Sequence, residues 1–442
     1  MSQSQPNKPS TNANSRYKFQ LFLYGALWTL LIPVLFIRFC IKWLLARPGY
    51  TVARLSRFAI FPANIRRTDV LWHCVSVGEV TAIAPLAKEL LTIYPNISIT
   101  VTTTTPTGAQ QVARLLTDKV QHCYLPYDHA WFMRRLVNIV NPKILLITEV
   151  ELWPNLLSAC TKAQIPSMLI NARMTERSAK RYAKLGRFLT LTLQQFSYIS
   201  AQSKEDAARY VDLGADSSKV HNTGNIKFEI AEHLVADGFV AQLDTYRRAH
   251  KATIIIAGST HAPEEQLAID AHCALKQKHT NLITCIVPRH PQRFDDVKQL
   301  LIASGRTYCC YSDGIIAEDA EFVLIDAMGV MHDMYAIADI AFVGGSFAER
   351  GGHNALEPAL YSVPIVMGPS QYNNPQITGA LSASGALKTV LNEQDFIKQL
   401  DLWLTDPAAR QHAGKQGFSV IADNRGALQT NLQLIGNLLN EH

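Results

Sequence analysis

Hydrophobic and polar positions follow a repeating pattern along most of the chain, and that pattern predicts buried strands separated by amphipathic helices. Between the short apolar runs lie segments in which apolar residues return every three or four positions, as in 80–94 and 105–116. The first series of strand-like runs comprises residues 69–76, 97–104, 121–126, 143–150 and 166–172. Because strands alternate with helices, the pattern indicates a parallel sheet with crossover helices.

The same alternation pauses near residues 226–250 and then starts again. The second series of strand-like runs comprises residues 252–258, 281–288, 321–327, 339–345 and 363–368. A chain of 442 residues is long enough for two domains of ordinary size. We therefore predict an α/β chain of two Rossmann-like domains that face a cleft, with ligands bound beyond the carboxyl ends of the strands. The predicted boundaries are 46–225 for the first domain, 226–250 for a linker and 251–442 for the second domain, whose last helix is a candidate to cross back.

The amino-terminal end departs from this pattern. Residues 1–18 form a polar tail that we expect to be disordered. Residues 19–45 are predicted to be a membrane-anchor helix, because the run from 19 to 37 is uncharged and strongly apolar. Seven basic residues and no acidic residue follow before Asp69, a bias that favours the cytoplasmic side for the rest of the chain. A buried helix of the first domain is the alternative, and the pattern leaves open whether the anchor spans the bilayer or lies in it.

Composition narrows the function classes only a little. The formal net charge of +6 suits anionic lipids or phosphate-bearing substrates and does not indicate nucleic acid as a partner. The eight cysteines form no Cys-x-x-Cys pair, which argues against a zinc knuckle or a thiol-redox motif and indicates a reducing compartment.

Carboxylates and one lysine stand where chemistry is expected in the first half of the chain. Glu79 follows a strand and opens a helix, where it is either a general base for an acceptor hydroxyl or an ordinary partner of the helix dipole. Glu149 and Glu151 end an apolar strand, and we expect no metal there. Lys227, near the predicted domain junction, is either a cation for a phosphate or carboxylate or an exposed linker residue.

The second half offers groups that suit a phosphate. Arg289 lies in a Pro-flanked loop just past a strand, and its guanidinium suits bidentate phosphate recognition, although a plain surface turn is the alternative. A Gly-rich loop from 344 to 352 leads into a short helix, whose backbone N–H groups are expected to attract phosphate oxygens. Glu357, one turn further on, is a candidate acceptor for ribose hydroxyls. No Asp-x-Asp motif occurs, so a diphosphate clamp through a divalent metal is not predicted.

Taken in order, these motifs resemble the 3-deoxy-D-manno-octulosonic acid (Kdo) transferase family of lipopolysaccharide synthesis. The matching segments are 76–79, 102–108, 124–128, 148–156, 170–186, 201–215, 287–294, 341–359 and 366–369. The resemblance covers nearly the whole chain after the anchor, and the ordered set is far more specific than any one of its members.

The resemblance implies a GT-B glycosyltransferase that transfers Kdo from CMP-Kdo to the 6'-hydroxyl of the lipid A precursor lipid IV-A, the first step of lipopolysaccharide core assembly. It also implies inversion at the sugar, no metal, no cofactor and no nucleic acid. By motif, Glu79 corresponds to the family's proton acceptor, and Glu149 and Lys227 correspond to positions that stabilise the transition state. Whether one Kdo or more is added stays open.

By the same resemblance, the first domain receives the acceptor, the second binds CMP-Kdo, and the enzyme is attached to the inner membrane by a single amino-terminal anchor with its catalytic domains on the cytoplasmic side. The implied CMP-binding residues are Pro288, Arg289, Met328, Gly329, Val330, Asn354, Ala355, Leu356 and Glu357. Val330 and Ala355 depart from the usual family residues, so a backbone contact there is expected to survive and a side-chain contact is not.

Two rival interpretations remain open at this point. One is a GT-B enzyme that uses a different nucleotide sugar, which turnover of UDP-sugars without turnover of CMP-Kdo would support. The other is a non-catalytic binder of lipid or nucleotide at the membrane, for which replacing Glu79 by Gln would be harmless.

Overall fold

The computed structural model describes residues 11–45, 47, 51–116, 120–231 and 237–440. The chain divides into two compact units. Unit 1 comprises Met1–Glu229 and Arg425–His442, and unit 2 comprises Ile230–Asn424. Within the described residues, each unit is built on a seven-stranded parallel sheet with helices between the strands, which confirms the predicted α/β class.

The sheet of unit 1 has the strand order β3-β2-β1-β4-β5-β6-β7, with the first strand near the centre and later strands added to either side. The strands are β1 (Val70–His73), β2 (Ile99–Thr103), β3 (Val120–Tyr124), β4 (Ile144–Thr148), β5 (Ser167–Ala172), β6 (Tyr198–Ala201) and β7 (Val220–Asn222). Alternate residues of β1 enter two different hydrophobic clusters, because Val70 and Trp72 point to one face of the sheet and Leu71 to the other. Helices cover both faces, and every residue of β1, β2, β4 and β5 is buried.

The helices of unit 1 that precede unit 2 in the chain are α1 (Thr11–Leu44), α2 (Val77–Ile93), α3 (Pro106–Leu116), α4 (Ala130–Val140), α5 (Pro154–Lys162), α6 (Glu176–Ala183), α7 (Arg187–Leu193) and α8 (Lys204–Asp212). Several begin with a side chain that accepts a backbone N–H, as Ser76 does for α2 and Ser203 for α8. Most follow directly from a strand, so their amino termini lie at the carboxyl edge of the sheet.

Helix α1 is long and apolar enough to cross a membrane over Arg16–Leu44, in agreement with the predicted anchor. It begins at Thr11, so residues 11–18, which were assigned to a disordered tail, are helical. A physical reason lies in Tyr17, whose ring packs 5.5 Å from that of Phe188 and whose hydroxyl accepts a hydrogen bond from Gln195. Residues 1–10 of the predicted tail lie outside the described residues.

The sheet of unit 2 has the strand order β10-β11-β9-β8-β12-β13-β14, again entirely parallel. The strands are β8 (Thr253–Thr260), β9 (Leu282–Pro288), β10 (Tyr308–Cys310), β11 (Phe322–Leu324), β12 (Ile340–Val343), β13 (Ile365–Met367) and β14 (Leu387–Thr389). The helices are α9 (Gly238–His250), α10 (Glu264–Lys276), α11 (Phe294–Ala303), α12 (Met331–Ala336), α13 (Leu356–Leu360), α14 (Pro375–Ala383), α15 (Glu393–Thr405) and α16 (Pro407–Asn424).

The last helix, α17 (Ala427–Asn440), belongs to unit 1. Its residues Leu432, Ile435 and Leu438 are buried in the cluster that also contains Trp72 and Leu90. Its Asn431 is fully buried and accepts a hydrogen bond of 2.6 Å from the hydroxyl of Ser200 on β6.

The segment 226–250, predicted as a linker, is divided between the two units. Residues Ile226–Phe228 form a 3-10 helix in unit 1, with Ile226 buried in its core, whereas α9 packs against the core of unit 2 through Phe239 and Leu243. Buried apolar side chains at both ends of the segment hold it in the two units, and residues 232–236 lie outside the described part of the chain.

Candidate active site

Glu79 lies in the first turn of α2, immediately beyond the carboxyl end of β1. Ser76 caps the helix by accepting the backbone N–H of Glu79, at 3.4 Å, and its hydroxyl donates to one carboxylate oxygen, at 3.3 Å. The other carboxylate oxygen accepts the backbone N–H of Val75 at 2.6 Å. This reciprocal arrangement resembles a capping box and holds the carboxyl group in one orientation.

Burial raises the pKa of Glu79 to about 8. The N–H of Val75 and the hydroxyl of Ser76 favour the charged form, but the nearby carboxylates of Glu149 and Glu151 disfavour it. A carboxyl group with a pKa near neutral is suited to accept a proton, because it is basic enough to take the proton yet ionises within the physiological range. The side chain that the sequence singled out is therefore a buried carboxyl group with a raised pKa, held in one orientation.

Glu149 and Lys227, which the sequence places far apart, meet in the structure. The Nζ atom of Lys227 lies 3.1 Å from Oε1 of Glu149, and both side chains are only partly exposed. Glu149 stands just past the end of β4 with a φ of 62°, in the left-handed region that a non-glycine residue enters at a cost. Such local strain is typical of residues whose position is set by function.

Two asparagines that the sequence did not single out hold Lys227 in place. The side-chain oxygen of Asn225 accepts the N–H of Lys227 at 3.0 Å, and that of Asn171 accepts the N–H of Ile226, also at 3.0 Å. Asn171 itself has a φ of 53° at the end of β5. Asn is among the few residues that tolerate this conformation, but the bond of Asn171 to the distant N–H of Ile226 leaves no local signal in the sequence.

The second carboxylate of the Glu-x-Glu pair has a different setting. Burial raises the pKa of Glu151, and the charge of Glu149 raises it further. Next to it, Trp153 packs edge-on against His73, with ring centroids 5.2 Å apart. Among the described residues, no group of three or more His, Cys, Asp and Glu side chains is arranged to hold a metal ion.

In unit 2, the candidate donor-binding residues lie at or beyond the carboxyl ends of β9, β11 and β12. Pro288 is the buried last residue of β9, and the N–H of Arg289 donates to the carbonyl oxygen of Thr260 at 3.0 Å. The Arg289 side chain is exposed. Burial lowers the pKa of His353 to about 4 and the charge of Arg289 lowers it further, while the same charge counteracts the rise that burial causes in the pKa of Glu357. Arg289 and the 354–357 segment are therefore near neighbours in the structure.

The segment from Asn354 to Glu357 is fixed by its own side chains. Asn354 donates to the Glu357 carboxylate at 3.2 Å and accepts the N–H of Leu356, while Ala355 is buried. Burial raises the pKa of Glu357, and Asn354 and Arg289 oppose that rise. The adjacent His353 shares a hydrogen bond of 2.9 Å with His261, a residue that the sequence analysis did not select.

The segment from Met328 to Val330 contributes backbone to this edge. Met328 is exposed, Gly329 has a φ of 94°, and the side chain of Val330 turns into the hydrophobic core. The departure of Val330 from the usual family residue therefore changes a side chain that packs inward, and a ligand can still contact the exposed residues Met328 and Gly329.

The first N–H groups of the Gly-rich loop are bound by a carboxylate of the protein itself. The carboxylate of Glu264, which is fully buried, accepts the N–H groups of Gly345, Ser346, Phe347 and Ala348 at 2.8–3.3 Å. It also accepts the N–H of His261 at 3.0 Å. The buried Glu264 carboxylate thus fixes the conformation of the start of this loop.

Replacing Glu264 by Ala is expected to lower the free energy of unfolding by at least about 3 kcal/mol, because several buried N–H groups lose their acceptor. Thermal and urea unfolding measure this loss. Gln266→Ala, at an exposed position on the same helix, is the control and should unfold like the wild type. Equal unfolding midpoints for the Glu264 variant and the control would contradict the role of Glu264.

Comparison with known proteins places this geometry in a family. The family model described as 3-deoxy-D-manno-octulosonic-acid transferase (kdotransferase) matches residues 53–230. The 3-deoxy-D-manno-octulosonic acid transferase of Haemophilus influenzae is 38% identical over 367 residues, which are 82% of this chain and 85% of that protein. The enzyme of the same name from Bordetella pertussis is 32% identical over 376 residues, which are 82% and 86% of the two chains.

Solved structures agree on the fold. A UDP-N-acetylglucosamine 2-epimerase from Neisseria meningitidis, bound to UDP-GlcNAc, matches with a TM-score of 0.54 and 13% identity over 84% of this chain and all of that one. A glycosyltransferase from Rickettsia africae matches with a TM-score of 0.53 and 11% identity over 85% and 100% of the two chains. These likenesses support the GT-B fold alone. The extensive identity to named transferases decides the family: the chain is a glycosyltransferase that belongs to the 3-deoxy-D-manno-octulosonic acid transferase family.

Proposed function

We propose that the chain transfers Kdo from CMP-Kdo to the 6'-hydroxyl of the lipid A precursor lipid IV-A, by a single inverting displacement without a metal. The hydroxyl oxygen forms a bond to the anomeric carbon of Kdo while the bond from that carbon to the phosphate oxygen of CMP breaks. CMP leaves with the bonding electron pair, and the hydroxyl proton passes to the enzyme. One displacement inverts the sugar and requires no covalent intermediate on the protein.

Glu79 is the proton acceptor in this proposal. Its carboxyl group is held by Ser76 and Val75, and its pKa of about 8 matches the task of taking a proton near neutral pH. This is the observation that carries the proposal, because a merely structural helix cap needs no buried carboxyl with a raised pKa.

Two cations supply the charge that a metal supplies in other enzymes. As the sugar–phosphate bond breaks, positive charge develops on the sugar and negative charge on the leaving CMP. The Glu149–Lys227 pair offers a fixed charge of each sign, with the atoms 3.1 Å apart. Arg289 offers a guanidinium to the phosphate of CMP, and Pro288, Met328 to Val330, and Asn354 to Glu357 are assigned to the nucleotide.

The setting that we propose is the inner membrane, with the catalytic units on the cytoplasmic side. The apolar helix α1 supports attachment to a membrane, and the basic residues that follow it favour the cytoplasmic side. A lipid acceptor in the same membrane explains why a transferase of this family needs such a helix.

A transfer assay tests the function. Purified full-length protein is incubated with freshly generated CMP-Kdo and the tetraacylated precursor, and the lipid products are resolved by mass. We expect the precursor to gain one or more Kdo masses, and the number counts the additions. If the precursor is unchanged while the donor is intact and the protein is folded, the proposal is contradicted. Turnover with UDP-sugars would then indicate a different donor.

Arg289→Ala is expected to weaken CMP binding by about 10- to 100-fold, because a charged hydrogen bond to phosphate contributes about 1.5–3 kcal/mol. Titration calorimetry with CMP measures the dissociation constant. Lys388→Ala, which removes an exposed cation from β14 of the same unit, is the matched control. An unchanged affinity in the Arg289 variant would remove this residue from the nucleotide site.

A further inference from the structure

A groove of about 790 Å³ in unit 1 lies between helices α1, α4 and α5. Its volume is in the range of small-molecule sites. The apolar part of its lining includes Leu21, Phe22, Leu30, Ala130 and Ala159.

The chemistry of the lining is that of an amphipathic anion. The walls are largely apolar, while Lys18, Arg134 and Lys162 are exposed cations on three different helices. Among the lining residues in the described part of the chain, none is acidic. A ligand that joins a hydrocarbon chain to a phosphate fits this combination better than a purely apolar or purely ionic one.

The groove opens onto the apolar outer face of α1. Phe22 and Leu30 line the groove and are also 68% and 75% exposed. The opposite face of α1 packs on unit 1 from Tyr17 to Phe39, a length of about 33 Å. A helix that is packed lengthwise on a protein offers its outer face to a bilayer surface, so the groove is open to lipid from the side.

The inner end of the groove reaches the edge of the sheet that carries Glu79. His129 and Asn155 stand where α4 and α5 begin, directly after the loops that leave β3 and β4. The buried carboxylate of Asp128 binds these loops together by accepting the N–H groups of Asn155 and Leu156 at 3.1 and 3.0 Å. Glu149 is in the second of these loops, so the same loop leads from a residue proposed for the chemistry to the Asn155 side of the groove.

We propose that this groove binds one acyl chain and the neighbouring phosphate of the glycolipid acceptor as it enters sideways from the membrane surface. The assignment rests on the proposed function, which supplies a phosphorylated, acylated disaccharide as acceptor. The apolar walls hold the chain, and Lys18, Arg134 and Lys162 hold the phosphate. The sugar hydroxyl is thereby directed towards the carboxyl edge of the sheet.

The experiment fills the groove and compares two acceptors. Ala130 is exposed at the first position of α4, so Ala130→Trp adds bulk without entering the core. We expect the ratio of kcat/KM for a tetraacylated acceptor to kcat/KM for its de-acylated form, both in detergent, to fall about tenfold, which is the loss typical of a blocked apolar pocket. The charge-reversal variant Arg134→Glu with Lys162→Glu should lower the ratio of phosphorylated to dephosphorylated acylated acceptor in the same way.

Ala113→Trp and Arg114→Glu, at exposed positions of α3, are the matched controls and should leave both ratios unchanged. An unchanged ratio in the groove variants, or an equal loss with both acceptors, would overturn the proposal. Weaker pelleting with phospholipid vesicles at an unchanged ratio would also overturn it, because the groove would then hold membrane phospholipid.

Failure of the transfer reaction is kept separate by a binding readout. An acceptor analogue with a photoreactive group in its acyl chain should label peptides that contain residues 129–134 or 155–162, and Ala130→Trp should abolish the labelling. Labelling without turnover would uphold the groove and reject the proposed reaction. Turnover without labelling of these peptides would reject the groove and uphold the proposed reaction.

Discussion

Replacing Glu79 by Gln is expected to lower the rate of Kdo transfer by about two to four orders of magnitude, the usual contribution of a positioned general base. Gln keeps the shape of the side chain and can still accept the N–H of Val75, so the fold should persist. The kcat for CMP-Kdo and the lipid acceptor measures the loss. Glu89→Gln, on the same helix, is the control and should be as active as the wild type.

The same residue predicts the pH dependence of the reaction. A base must be deprotonated to act, so the wild-type kcat/KM should rise with pH and level off above about 8, where Glu79 ionises. Glu149→Gln removes a charge that raises the pKa of Glu79, and should therefore move this rise to lower pH. If kcat/KM of the Glu79→Gln variant still rises with pH as it does in the wild type, another group is responsible for the titration and Glu79 is not the base.

The free energy of unfolding should change with pH in the opposite direction to kcat/KM, because the contribution of Glu79 falls as the pH rises. The folded pKa of about 8 lies above the ordinary value of 4.5, so between these values the folded state binds more protons than the unfolded state. The contribution of Glu79 to the free energy of unfolding is therefore fully present below pH 4.5 and is lost as the pH rises through 8. Glu79→Gln removes this loss, and urea unfolding should find the variant more stable than the wild type at pH 8 and above.

Lys227→Met is expected to lower kcat by about 100- to 1,000-fold, because it removes a fixed cation proposed to act on charge that develops in the transition state. An interaction made only in the transition state lowers kcat and kcat/KM together, and steady-state kinetics separates this from a change in KM alone. Lys204→Met, which removes an exposed lysine at the start of α8, serves as the control.

A double-mutant cycle with Glu149→Gln tests whether the pair acts as a unit. The two side chains are in contact, so their effects on kcat should be non-additive. Full additivity would show that the ion pair has no part in catalysis. A rise in KM with normal kcat in Lys227→Met would move the lysine from the transition state to ground-state binding.

Much of the fold was accessible from the pattern of apolar residues. The ten strand-like runs that stood out correspond to strands of the structure, since strands buried on both faces need apolar side chains at almost every position. The pattern missed β6, β7, β10 and β14. Of these, β7 (Val220–Asn222) and β14 (Leu387–Thr389) are edge strands of three residues with exposed positions. A short edge strand needs no continuous apolar run, so its sequence resembles a loop.

The sequence identified several of the functional residues, but it did not identify the polar residues that contact them from distant parts of the chain. Glu79, Glu149 and Lys227 were selected from their places at strand and helix ends, but their neighbours Asn171 and Asn225 were not, because an amide that bonds to a distant backbone leaves no periodic signal. Glu264 was missed for the same reason. An acidic residue in the first turn of a helix is ordinary, and only the folded chain shows four loop amides around it.

The return of α17 to unit 1 has a consequence for synthesis on the ribosome. The core around Trp72 contains Ile435 and Leu438, so unit 1 completes its core only when the last segment of the chain has emerged. Unit 2, from Ile230 to Asn424, is an insertion whose whole sequence is available earlier. We therefore expect unit 1 to finish folding last, although most of it is translated first. The apolar face of α2 stays uncovered during the translation of unit 2, until α17 has been synthesised.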